Sequence, residues 1–252
     1  MFSYITSLVQ DPINTLIFFL LAFPGRLLAI SAHEYAHGWM ADKCGDPTAR
    51  MMGRLTMNPL KHLDPLGFIM MLVFGFGWAR PVPVNPRNFR SYRRDDLKVS
   101  LAGITMNLIL FILGYIALSF AAFFALRQTG YVQDLSLVRF AMYLNPEFIT
   151  DALGWVPAQL YRMLVYFVQT NICLAIFNLI PVPPLDGYHV LNDLLLKRSL
   201  FVSRKVARNA TMVLFLLMAT GYLGQGLGYA VNGAISAAGW LVEHAFMLVG
   251  LI

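Results

Sequence analysis

Between Ala29 and Trp39 an apolar run contains His33-Glu34-x-x-His37. On a helix, positions four apart nearly eclipse, so His33 and His37 present two imidazoles to one ion. Glu34 sits on the adjoining flank, within reach of a water held by that ion without being a ligand itself. Two neutral nitrogens, a neighbouring carboxylate base and an open coordination position are what hydrolysis at zinc needs. Ionisable groups in an apolar stretch are costly to bury and are normally kept for function.

Two histidines leave such a site one ligand short. The candidates are His62, Asp64, Asp186, His189, Glu243 and His244. Asp186 stands out because it follows a proline-broken apolar run and precedes Gly187, so its carboxylate projects from irregular backbone. Without a cation it would be expensive there; the alternative is a turn-forming Asp-Gly. His62 and His189 are expected at the interface or hydrogen-bonded locally. Glu243 and His244 are expected to pair or to face a polar seam.

The elements that must position these groups are membrane helices. Of 252 residues, 58% are hydrophobic and only 13% charged, and the mean hydropathy is +0.62. Soluble domains carry about a quarter charged residues, so this is a polytopic α-helical membrane protein. The excess of 19 basic over 13 acidic residues reads as an orientation signal, with no nucleic-acid partner. Cys44 and Cys173 make no disulfide framework and no metal-type spacing. The N-terminal residues lack the basic start and cleavage site of a signal peptide.

In chain order, 1–23 is expected as an interfacial or tilted helix, broken at Phe23-Pro24-Gly25-Arg26. The span carrying the histidines follows at 24–43; one long kinked helix is the alternative. Around 48–86 the prolines and glycines predict a short membrane-embedded β or re-entrant segment, allowed at depth only where protein or a wet cavity covers it. Further spans are predicted at 97–126, 158–180, 209–229 and 232–252, five to six membrane helices in all. Loops 43–98 and 197–208 hold 10 and 5 of the basic residues, whereas 127–157 is net acidic. The positive-inside rule places the basic loops in the cytoplasm and the histidine pair toward that side of the bilayer. Gly221, Gly224, Gly228, Gly233 and Gly239 form a small-residue face suited to close helix packing within the chain, with a homo-oligomer as the alternative.

His33-Glu34-x-x-His37 together with Asn178-x-x-Pro181-x-Pro183-x-Leu185-Asp186-Gly187 resembles the site-2 protease family of intramembrane zinc metalloproteases. Gly45-Asp46-Pro47, Asn58-Pro59 through Asp64-Pro65-Leu66-Gly67, and Gly77-Trp78-Ala79-Arg80-Pro81-Val82-Pro83-Val84-Asn85 are similar to its compact prokaryotic branch, without PDZ or CBS modules. The likeness covers about residues 24–198. It implies one catalytic core at 24–198 followed by two C-terminal membrane helices at 199–252, within a single integral membrane protease domain. It further implies one Zn²⁺ per chain held by His33, His37 and Asp186, a water activated by Glu34, and substrate contacts from Asn178 and Asn107. The implied partners are the lipid bilayer and membrane proteins with a transmembrane helix; the implied setting is a prokaryotic plasma membrane. One departure bears on Asn107: relatives often carry Gly-Pro ahead of it, and here Gly103 is followed by Ile104. A metal-ion carrier, an inactive relative or a structural membrane organiser are the competing readings.

Overall fold

The structure, a computed structural model, describes residues 2–75, 77–129, 141–196 and 204–251. Lys197 and Arg198 of the second basic loop, the 198/199 core boundary, and Asp134 and Arg139 of the acidic loop lie outside them.

A short helix α1 (Phe2–Gln10) leads into α2 (Pro12–Lys43), a single helix. Asp11 caps it by accepting from the Asn14 amide at 3.2 Å, and Pro12 takes the first turn, where no N–H is needed. The helix continues through Pro24, so the break expected there is absent and the long-helix alternative holds. Packing supplies the reason: a Cβ on Gly25 would lie 3.1 Å from the Phe167 backbone, so this turn is clamped against its neighbour. With 32 residues, α2 is roughly 48 Å long, enough to cross a bilayer.

Past Lys43 the chain reverses around Asp46, which is fully buried. Its carboxylate accepts from the Thr48 amide and hydroxyl, from Asn85 N at 2.7 Å and from Asn88 Nδ2 at 2.7 Å. Burial alone would raise the Asp46 pKa, but these donors hold it below the usual carboxylate range. The effect is to pin the extended run before Pro86 against the end of α2.

Between these anchors lie three short helices, α3 (Thr48–Met51), α4 (Pro59–His62) and α5 (Pro65–Phe74). Asp64 caps α5 through Gly67 N at 2.8 Å, and Gly75 ends it in the left-handed region at φ 77°. The returning chain crosses α5 backbone to backbone: a Cβ on Gly67 would sit 2.2 Å from Trp78 O. No β-strand forms among the described residues; pairing is limited to an isolated antiparallel bridge, Leu63–Ala79. Where a β or re-entrant segment was expected the chain forms the short apolar helix α5 and an extended return, because Pro81 and Pro83 lack the N–H groups a sheet ladder needs.

Helix α6 (Tyr92–Gln128), then α7 (Pro146–Leu153) and α8 (Trp155–Asn178), complete a three-helix centre of α2, α6 and α8. Small buried residues on α2, namely Ala22, Ala29, Ala32, Ala36 and Gly38, allow close approach. Tyr115, Leu118, Val168, Ile172, Val231 and Ile235 fill the adjoining core. Ile112 and Leu113 on α6 and Leu16 and Leu20 on α2 face outward, as lipid-facing residues do.

Among the described residues three helices, α2, α6 and α8, are each long and apolar enough to cross a membrane. Beyond the short α9 (Asp186–Leu191) and a π turn at Asn192–Leu196 come α10 (Arg204–Thr220) and α11 (Tyr222–Leu248). The stretches Lys205–Met218 and Tyr222–Leu248 are bent by 78° and meet the length and apolarity requirement only together, which makes up to four such spans among the described residues beside the five to six expected. Gly221, at φ 85°, makes that bend. Among the described residues a Cβ on Gly224, Gly228 or Gly233 would meet nothing within 4 Å, whereas Gly239 is buried at the far end of the glycine face.

Replacing Asp46 by Ala strands buried donors on both sides of the reversal. We expect a loss of at least ~2 kcal/mol, read as a lower melting temperature in detergent, with a smaller loss for Asp46→Asn.

Candidate metal centre

His33 and His37 lie one turn apart on the inward face of α2, with ring centroids 4.5 Å apart. Asp186 arrives from the opposite side. Helix α8 ends at Asn178, and the chain turns through Pro181-Val182-Pro183-Pro184 before Asp186 opens α9. Gly187 permits the fold-back, since a Cβ there would sit 2.3 Å from Leu179 O. The His33 and His37 Nε2 atoms lie 2.9 Å apart, and each is 3.3 Å from Asp186 Oδ2.

Hydrogen-bond polarity decides what this triangle needs. The His37 Nδ1 lies 2.7 Å from Val99 O, which can only accept, so Nδ1 carries the proton. The His33 Nδ1 is 2.6 Å from Asn107 Oδ1. Asn107 Nδ2 donates to Ala29 O at 3.2 Å and to Asn171 Oδ1 at 2.9 Å, which fixes its amide and leaves Oδ1 to accept from His33. Asn171 is fixed in turn by donating to Phe167 O at 2.9 Å. Both Nε2 atoms of the neutral imidazoles therefore turn lone pairs toward each other and toward a carboxylate oxygen that is buried without a hydrogen bond. A proton between two of the three leaves the third unsatisfied, whereas a cation at the centre satisfies all of them. Ligands ~2.0–2.1 Å from a tetrahedral zinc are spaced roughly 3.3 Å apart. The residues fit that ion.

Glu34 adjoins the triad. Its Oε2 accepts from Val82 N at 2.7 Å, which orients the carboxylate and leaves Oε1 for other partners. Arg54 Nη2 donates to Arg80 O at 2.8 Å and Pro81 O at 3.2 Å, steadying the same extended run.

The other candidates for a third ligand have separate roles. His62 is buried and donates Nε2–H to Thr56 O at 2.7 Å. Asp64 caps α5, and His189 is bonded to Asp96 at 2.9 Å. His244, exposed on α11, has its Nδ1 2.8 Å from Trp240 O, while Glu243 beside it is buried. Asn178 donates Nδ2 to Leu174 O at 3.0 Å.

Residues 18–221 match the model of peptidase family M50. The chain belongs to that family. It is similar to YwhC, a candidate zinc metalloprotease of Bacillus subtilis, at 40% identity over 168 residues, which are 67% of this chain and 66% of YwhC. It is also similar to Rip2 of Mycolicibacterium smegmatis, at 25% identity over 71% of this chain and 59% of Rip2. Rip2 of Mycobacterium tuberculosis H37Rv is 26% identical over 79% of this chain and 67% of that protein. The chain thus spans about two-thirds or less of the length of YwhC and of the smegmatis protein. No solved structure matches it.

In this M50 chain three groups with roles at the triad were not evident as such in the sequence. A Cβ on Gly103 would lie 2.4 Å from His37 Nε2 and 2.6 Å from His33 Cε1, so the α6 backbone lies directly against both rings. At Ile104, the departure noted beside Gly103, α6 stays unbroken and Asn107 is in contact with His33. Asn171, fully buried, stands seven residues before Asn178 in an apolar span; that two-turn polar spacing was the available signal. The Val82 amide left none, being backbone.

Two variants test the arrangement. Gly103→Ala drives a methyl into the imidazoles and is expected to abolish tight zinc retention. Asn107→Leu removes the bond that orients His33 and should weaken zinc binding by about 10- to 100-fold. Competition against a chromophoric chelator measures both.

Proposed function

We propose that this chain is an intramembrane zinc metalloendopeptidase, hydrolysing peptide bonds in or near transmembrane segments of membrane-protein substrates. The observation that carries this reading is the meeting of His33, His37 and the otherwise unpartnered Asp186 Oδ2 at one point beside Glu34. Zinc bound there supplies Lewis acidity and an acidified water. Glu34 takes the proton of the attacking water and returns it to the leaving amine. The Val82 amide keeps the Glu34 carboxylate oriented for both transfers. Asn107 acts by orienting His33, since both of its amide hydrogens are engaged. Asn178 remains the candidate for contact with the substrate backbone or the developing oxyanion.

The site lies 6 to 10 residues before Lys43, roughly 9–15 Å from the end of α2 that adjoins the basic loop. The positive-inside rule then puts it within the bilayer toward the cytoplasmic side of a prokaryotic plasma membrane. Substrate must unwind to expose a peptide bond, and the extended run at 79–85 is the surface for holding it. Across Pro81-Val82-Pro83 that edge offers carbonyls and no spare N–H, because prolines have none and Val82 N is bonded to Glu34. An extended substrate would therefore supply the N–H groups itself. Ligands gathered at one depth, rather than strung along a path, favour this reading over an ion carrier.

The test is purified protein in lipid with single-span peptides. We expect one zinc per chain, cleavage by the parent, and a loss of about 10²- to 10⁴-fold for Glu34→Gln with zinc retained. Equal cleavage by the Gln variant, or zinc flux across liposomes without cleavage, would remove the peptidase reading.

A further inference from the structure

Glu34 is oriented by one peptide unit, and that unit is gripped from its other side by a cation. Among the described residues the Val82 amide, at 2.7 Å, is the hydrogen-bond partner of the Glu34 carboxylate. The carbonyl of the same peptide belongs to Pro81 and accepts from Arg54 Nη2 at 3.2 Å. The preceding carbonyl, of Arg80, accepts from the same nitrogen at 2.8 Å. The Pro81–Val82 bond is trans, so its C=O and N–H point to opposite sides. Arg54 and Glu34 therefore stand on either side of a single amide, the cation at its oxygen and the carboxylate at its hydrogen.

That order follows the dipole of the peptide. A guanidinium on the carbonyl oxygen polarises the amide and makes its N–H a better donor, and donation to a carboxylate is the stronger kind of hydrogen bond. Ion pairs in the neighbourhood join Arg50 to Asp42 and Lys98 to Asp95, and none among the described residues engages Arg54. Its charge is thus left to the two carbonyls, and its Nε is buried without a partner. The frame on both sides is fixed. Arg54 N donates to Ala49 O at 2.8 Å, and Arg80 N donates to His62 O at 2.8 Å. Val82 is buried and packs at Gly38 of α2.

We infer that Arg54 is a positioning residue for the general base: through the Pro81–Val82 peptide it sets the direction and strength of the N–H that holds Glu34. The inference rests on the peptidase reading. Arg54 bonds only to backbone carbonyls in this region, so it acts on Glu34 at one remove. Without its side chain the run keeps the anchors at Arg80 N and Asn85 N. What is lost is the grip on the peptide between them, so the rate falls while the zinc ligands stay in place.

The experiment compares the parent, Arg54→Met, Arg54→Lys, Glu34→Gln and the Arg54→Met, Glu34→Gln double variant in one lipid preparation. Cleavage of a single-span peptide is measured with zinc content and melting temperature. We expect Arg54→Met to lower kcat by about 10- to 100-fold, with KM, zinc content and melting temperature unchanged. Arg54→Lys, which keeps the charge and a donor for one carbonyl, should lose less. In the Glu34→Gln background Arg54→Met should cost little more, because both changes act through one group. An unchanged kcat in Arg54→Met overturns the inference. So does a loss carried by KM, zinc content or melting temperature, or one that multiplies in full with that of Glu34→Gln, since either shows a clamp on the fold or the substrate alone. Should Arg54→Met fail to fold, Arg54→Lys is judged by the same criteria. Failure of the peptidase reading shows separately, as no cleavage by the parent or equal cleavage by the parent and Glu34→Gln, and it takes this inference with it.

Discussion

Two imidazole nitrogens 2.9 Å apart and a carboxylate oxygen 3.3 Å from each make an arrangement that a cation at its centre satisfies on all three sides. The ring protons point away, toward Val99 O and Asn107 Oδ1, so no internal hydrogen bond relieves the three lone pairs. Much of the surrounding structure serves that condition. The relay from His33 through Asn107 and Asn171 to Phe167 O links α2, α6 and α8 by hydrogen bonds that each run one way. Orienting partners of this kind fix the tautomer and direction of a metal-binding histidine. Here they also fasten three apolar helices at one depth.

Glycine supplies the room. Gly103 lets α6 lie against the imidazoles, and Gly187 lets the turn after α8 fold back so that Asp186 reaches them. Gly38 brings α2 close to Val82, whose amide orients Glu34. Each is a point where a side chain would push apart two elements carrying parts of the site. The buried Asp46 completes the frame by fixing the other end of the Val82 run.

The His33, His37 and Asp186 group that could hold a metal was legible in the sequence because its signals are local. Residues four apart must share a helix face, and an aspartate after a proline-broken span needs a partner. The rest depends on contacts between distant segments. Pro24 reads as a helix break, yet α2 passes through it because Gly25 packs on Phe167. The alternation at 48–86 suggested pairing, but the Gly67–Gly77 crossing and prolines 81 and 83 leave short helices and an isolated bridge. The last two apolar stretches read as separate spans, and in the structure they meet at a 78° bend next to Gly221 and reach the length and apolarity of a span only as a pair. Asn107 was visible as a polar residue in a span, but its bond to His33 depends on Asn171 from a third helix. Backbone partners such as Val82 N and Val99 O have no signature in side-chain identity.

X-ray absorption at the zinc edge on the purified protein in lipid addresses the centre most directly. The account predicts two imidazoles and oxygen ligands at ~2.0–2.1 Å, with no sulfur. A sulfur shell at ~2.3 Å, or a site with fewer than two imidazoles, would contradict it.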